Sequence, residues 1–368
     1  MSDSRVEKLA NVLVHYSLDL KLGDQLRIQT SPLAEELTLA LYKEALTAGA
    51  HIDIVNNPGQ IMELFYNHAS EEQLQHISPT AKLAVETYDA SLFIEALHNT
   101  RALTSVDPKR FSITAKAAEP LFKTRFERTA KGEHRWCLTA FPTPAAAQEA
   151  DMSLSEYEDF VYTSGKLNEP DPAASWLEES EKMHELKSYL EEKDQIILEG
   201  DDIELQLSIK DRRFEVADGR INFPDGEIFT APVEDSVNGW VRFRYPAIYR
   251  GREVSDIKLW FEDGPVVKSE ASKGEELLKQ LLDTDAGAKT LGEWGIGTNY
   301  SITKFTKNIL FDEKLGGTIH FAVGATYPKT GGLNQSAIHW DMLCDMSNSQ
   351  IHADGELFYR DGKPLMWD

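Results

Sequence analysis

The stretch ILEGDDIELQLSIKDRRFEVADGRINFPDGEIFTAP, residues 197–232, divides the chain into two architectures. Apolar and polar residues alternate in it every second position, and Asp-Gly pairs punctuate it. That is the pattern of antiparallel strands joined by tight turns. The pattern continues downstream through GWVRFRYPAIYRG (239–251), REVSDIKLWFEDGPVVKSEA (252–271) and GGTIHFAVG (316–324), interrupted by a helix predicted at 273–287 and ended by Gly287. Residues 194–368 therefore read as a mainly antiparallel β domain, α+β in class and barrel-like.

Upstream the rhythm differs. DQLRIQT (24–30), HIDIVN (51–56), ASLFIEAL (90–97) and RWCLTAFPT (135–143) read as strands separated by helical patterns such as PLAEELTLALYKEALTAGA (32–50). Strand–helix–strand alternation implies parallel pairing, so residues 1–168 read as an α/β domain with an open, mostly parallel sheet. Neither GxGxxG nor GxxxxGK[ST] follows any of these strands, which removes support for a nucleotide site. From Pro144 to Lys193 the pattern is helical. Ser153 or Ser155, each with an acid three residues on, supplies a helix start, and NEPDP (168–172) breaks regular structure. Residues 169–193 read as a helical linker.

Composition bounds the function. Of 368 residues, 61 are acidic and 38 basic, a formal charge of −23 that repels phosphate backbones and argues against nucleic-acid binding. No apolar run approaches the roughly 20 residues of a spanning helix, so no membrane partner is expected. The N-terminus lacks the basic flank and apolar centre of a signal peptide. Cys137 and Cys344 form no disulfide framework, and a reducing, cytoplasmic location is expected.

Candidate chemistry gathers in the β domain, where Glu227, Glu293, Glu313, His320, His339 and Asp341 stand at turns and strand ends. Carboxylate oxygen and imidazole nitrogen are the donors that hard and borderline divalent ions take. A pair of ions about 3.5–4 Å apart needs five or six such groups, one of them bridging. His339 and Asp341, two apart in a strand, face the same side. Each residue also has a plain structural reading. A His in an apolar strand is more often a hydrogen-bonded core residue, and Asp-Gly-Glu is ordinary turn chemistry. HExxH, HxxEH and paired CxxC are absent, so residue chemistry leaves a metal site and a structural role open.

The blocks NFPDGEIFTAP, LGEWGIGTN, FDEKLGGTIHFAVG, the Tyr327 region and SAIHWDM, with AFPTPAAAQEADMSLSEYEDFVY upstream, resemble in order and spacing the thermophilic-type metallo-aminopeptidase family of aminopeptidases S, T and II. The resemblance covers most of the chain and implies an exopeptidase that uses two divalent ions (Zn, Co, Mn or Mg). It implies that Glu227 is a terminal ligand, Glu293 the bridge, and His320, His339 and Asp341 the remaining ligands. Tyr327 is implied as a hydrogen-bond donor to the tetrahedral oxyanion. Glu313 stands seven residues before His320 where some members have five, which leaves it as ligand or general base. The implied substrates are short peptides with a free N-terminus, and the implied assembly is a homodimer. The alternatives are a dinuclear hydrolase of another amide or ester, and a catalytically silent metal-binding relative.

Overall fold

The computed structural model describes residues 3–367, which form two compact units. One comprises the chain up to Ala173 together with Gly219–Pro224, and the other comprises Ala174–Asp218 and the chain from Asp225 onward. Each is described by itself below.

The first unit is built on five parallel strands in the order His51–Asn56, Gln25–Thr30, Ala90–Glu95, Arg135–Ala140 and Asn222–Phe223. Apolar residues make the central strands: Leu26, Ile28, Ala90 and Leu92 have no exposed surface. Polar caps set the helix starts. Ser153 is the residue that opens Leu154–Ser164, its hydroxyl accepting from Glu156 N while Glu156 returns to the Ser153 amide at 2.8 Å, two otherwise orphaned donors satisfied together. The short Asn222–Phe223 strand lies within the 197–232 stretch expected to be antiparallel, yet it pairs in parallel in this sheet. Its pairing with Leu138 and Thr139 could not be read locally, because two residues carry no periodicity.

The second unit has two antiparallel sheets around one core, and this is the form that the expected barrel-like domain takes. One has nine strands, including Gln195–Gly200, Ile203–Ser208 and Arg252–Phe261. The other has five, in the order His339–Asp345, Thr318–Gly324, Leu291–Gly297, Glu227–Thr230 and Glu215–Ala217. The helix Pro172–Leu190, in the stretch expected as a linker, buries Met183, Leu186 and Leu190 in this core. The helix expected at 273–287 is shorter, Glu275–Leu282. Its apolar face (Leu277, Leu278, Leu281, Leu282) ends there, and the Asp285 carboxylate accepts the Gly287 amide at 3.0 Å in a turn that replaces further helix.

Candidate metal centre

The five-stranded sheet sorts its residues by face. Cross-strand pairing aligns Glu293 with Ala322 and Ala322 with Asp341, Gly295 with His320, Gly297 with Glu227, and Gly324 with His339. Side chains alternate along a strand, so one face carries Trp294, Ile296, Phe321, Val323, Trp340 and Met342 into the core. The other face carries Glu227, Glu293, His320, His339 and Asp341 over a floor of Gly295, Gly297, Ala322 and Gly324. Small residues there leave the volume into which the ligand-type side chains fold. A Cβ on Gly295 would lie 2.1 Å from the His320 ring, so the imidazole packs directly on bare backbone.

Turn chemistry delivers Glu227. Gly226, at φ +120°, adopts a conformation that L side chains rarely take, and its carbonyl accepts from the Thr298 amide at 2.8 Å. Asn299 Nδ2 donates to the Asp225 carbonyl at 2.8 Å. The chain is thereby turned inward and Glu227 is left 5% exposed.

The groups converge. His320 Nε2 lies 3.0 Å from Glu293 Oε1 and 3.3 Å from Glu227 Oε2. His339 Nε2 lies 3.8 Å from Glu293 Oε2 and 3.6 Å from Asp341 Oδ1. One donor atom each from Glu293, His339 and Asp341 lies within 4.8 Å of the other two. His339 Nδ1 donates its proton to the Ala325 carbonyl at 2.7 Å, which fixes the tautomer and turns the lone pair of Nε2 toward the carboxylates.

Electrostatics mark the same cluster. Burial, assisted by the charge of Asp341, raises the carboxyl pKa of Glu293 against the hydrogen bond from His320. Burial would discharge both imidazoles, yet Glu293 and Glu227 hold His320 above the ordinary range, and Asp341 and Glu293 do the same for His339. Tyr327 packs edge-on against His339 (ring centroids 5.0 Å) and beside Phe229. Its residue surface is 49% exposed, while burial at the hydroxyl end, then Glu293 and Asp341, raise the phenol pKa.

Glu313 stands just past a short helical turn, Ile309–Asp312, and its carboxylate pairs with the ammonium of Lys314. That ammonium also donates to Glu227 Oε1 at 2.9 Å and lies 3.7 Å from Asp225 Oδ1. Lys314 was not among the residues that the sequence singled out. In FDEKLGG it reads as one more charge in a polar turn, and nothing local signals that its side chain has no exposed surface.

The donor set fits a cation by a direct test. Glu227 Oε2, Glu293 Oε2 and Asp341 Oδ1 are buried with no hydrogen-bond partner. Buried carboxylate oxygens are costly unless a partner or a metal satisfies them, and here three converge with imidazole between them. Fold and site together give a β unit that carries a candidate metal centre and an α/β unit with a parallel sheet, a class that the comparisons with known proteins make specific. The family model described as thermophilic metalloprotease (M29) matches residues 2–364, and the chain belongs to that family. It is 27% identical to "Aminopeptidase 2" of Geobacillus stearothermophilus over 98% of this chain and 95% of that one. It is also 27% identical to "Aminopeptidase T" of Thermus thermophilus over 98% and 97%. A solved structure of wild-type AmpT from Thermus thermophilus superposes with a TM-score of 0.86 at 23% identity, over 98% of this chain and 99% of that one, and shares the fold.

Proposed function

We propose that this metalloprotease-family chain is an aminopeptidase that removes the N-terminal residue of short peptides, using two divalent ions held by Glu227, Glu293, His320, His339 and Asp341. The observation that carries the reading is the convergence of Glu293, His339 and Asp341 donor atoms within 4.8 Å, with partnerless carboxylate oxygens around them. Glu293 is the bridging candidate, because its two oxygens face different imidazoles, Oε1 toward His320 and Oε2 toward His339. Bound there, Zn, Co, Mn or Mg ions would supply Lewis acidity for the scissile carbonyl and for water.

The protein's own groups do the rest. Glu313 carries a proton toward the leaving amine. The Tyr327 hydroxyl, close to the metal ligands, donates to the carbonyl oxygen as negative charge develops on it. Family membership supports a homodimer, and two buried free thiols, Cys137 and Cys344, suit a reducing cytoplasm. Among the described residues no helix is long and apolar enough to cross a membrane.

The test is metal analysis beside an aminoacyl-substrate panel. Chelation is expected to abolish cleavage of amino-acid p-nitroanilides, and Co²⁺, Zn²⁺ or Mn²⁺ to restore it. Full activity in excess chelator ends the metal reading. Cleavage of N-blocked peptides alone ends the exopeptidase reading.

A further inference from the structure

Lys314 stands among candidate metal ligands although it cannot be one. An ammonium has three donors and no lone pair. Its side chain has no exposed surface, a burial that is strongly unfavourable for an unpaired charge. The compensation is visible: Nζ donates to Glu227 Oε1 at 2.9 Å, pairs with the Glu313 carboxylate and lies 3.7 Å from Asp225 Oδ1.

We propose that Lys314 is a built-in cation that partitions the carboxylates of the metal centre, withdrawing Glu313 and one oxygen of Glu227 from the ligand set. The inference rests on the metal reading above and deepens it. The two oxygens of Glu227 divide accordingly. Oε1 is bound by the ammonium, while Oε2 has no hydrogen-bond partner and lies 3.3 Å from His320 Nε2, on the side of the remaining ligands. Glu313 lies outside the convergent Glu293–His339–Asp341 group, with the ammonium as its partner.

Charge balance agrees. Asp225, Glu227, Glu293, Glu313 and Asp341 carry five negative charges when ionised, and two divalent ions plus the Lys314 ammonium carry five positive ones. The ammonium is thus a third, permanent cation of the site, and a positioning residue for Glu227 and Glu313. Removing it frees carboxylate oxygens and takes a positive charge away from the ions. Divalent cations then bind more tightly, on the order of tenfold, since like charges a few ångströms apart repel strongly in a buried site.

The experiment is calorimetric titration of metal-stripped, full-length protein with Mn²⁺ alone, on wild type, Lys314→Met and the double variant Lys314→Met with Glu313→Gln. Lys314→Met is expected to bind Mn²⁺ on the order of tenfold more tightly, or to hold one further equivalent. The double variant removes the pair together and is expected to return to within about threefold of wild type, because the net charge is kept and the freed Glu313 carboxylate is gone. Unchanged or weaker binding in folded Lys314→Met overturns the proposal. A double variant that loses an equivalent, or binds on the order of a hundredfold more weakly, also overturns it, because Glu313 is then a ligand in the wild type. If Lys314→Met does not fold, the charge-balanced double variant decides alone. No Mn²⁺ uptake by wild type ends the metal reading itself, an outcome distinct from uptake that ignores Lys314.

Discussion

Each compact unit hides a histidine, and the two are treated in opposite ways. His134 of the α/β unit is 2% exposed, and its ring nitrogens meet Ser91 Oγ at 3.0 Å and Thr129 Oγ1 at 3.4 Å. Burial, then the charges of Arg128, Arg125 and Arg135, lower its pKa to about 4, so it is a neutral ring with local hydroxyl partners. His320 of the β unit has no exposed surface either, yet carboxylates surround it, its pKa rises, and Glu227 Oε2 beside its Nε2 has no hydrogen-bond partner. Burial therefore does not distinguish a structural histidine from a candidate ligand. The sign of the neighbouring charges does, together with whether the hydrogen-bond inventory closes without a further group.

The contrast can be broken most forcefully at the shared carboxylate. Glu293→Gln keeps the shape and removes the charge between the two imidazoles. It is expected to lower kcat/KM on the order of 10³-fold, about 4 kcal/mol of transition-state stabilisation, with metal content falling in parallel. A near-normal rate with full metal content would remove Glu293 from the bridging role.

The other side of the comparison is read by pH. The folded pKa of His134 lies below that of the unfolded chain, so the unfolded state takes the proton first. Stability linked to this ring is complete above the unfolded value, near 6.5, and is lost as pH falls from there toward 4. The stability difference between wild type and His134→Gln is expected to change by about 3 kcal/mol between pH 7 and pH 4, with wild type losing more. Denaturant unfolding at the two pH values checks this, and a constant difference would contradict it.

Gly295→Ala tests His320 without touching the ring itself. The added methyl lies 2.1 Å from the imidazole and must displace it, so metal affinity is expected to fall on the order of 10- to 100-fold. Unchanged metal binding by calorimetry would show that His320 contributes nothing there. The smallest effect is expected from Tyr327→Phe: about tenfold in kcat with metal content preserved. Loss of metal instead would reassign the tyrosine as a ligand.

Much of this fold is readable along the chain because its signals are local. Period-two alternation with Asp-Gly turns marks the hairpins, and strand–helix alternation marks the parallel sheet. Two sheet strands, Leu291–Gly297 and Thr318–Gly324, are buried on both faces. Burial thus does not mark one face of them as polar, and it takes the register across three strands to bring Glu293 and His320 to the side that His339 and Asp341 share. Asn222–Phe223 is too short to carry a pattern, and its place in the parallel sheet depends on a partner more than 80 residues away in sequence. Lys314 is the clearest limit. A lysine after a glutamate is ordinary surface chemistry in sequence, and its burial follows from long-range packing against Asp225 and Glu227.

The floor of Gly295, Gly297, Ala322 and Gly324 bears on how freely this sheet can vary. Its core face can exchange one apolar residue for another of similar volume at modest cost, since packing there depends mainly on summed size. Its ligand face has no such currency, because any side chain larger than those present takes space that an imidazole or carboxylate already fills. A saturation library across 291–297 and 318–324 should thus display a two-residue rhythm of tolerance, permissive at Ile296 and Val323 and closed at Gly295 and Ala322, even where substrate turnover is never assayed.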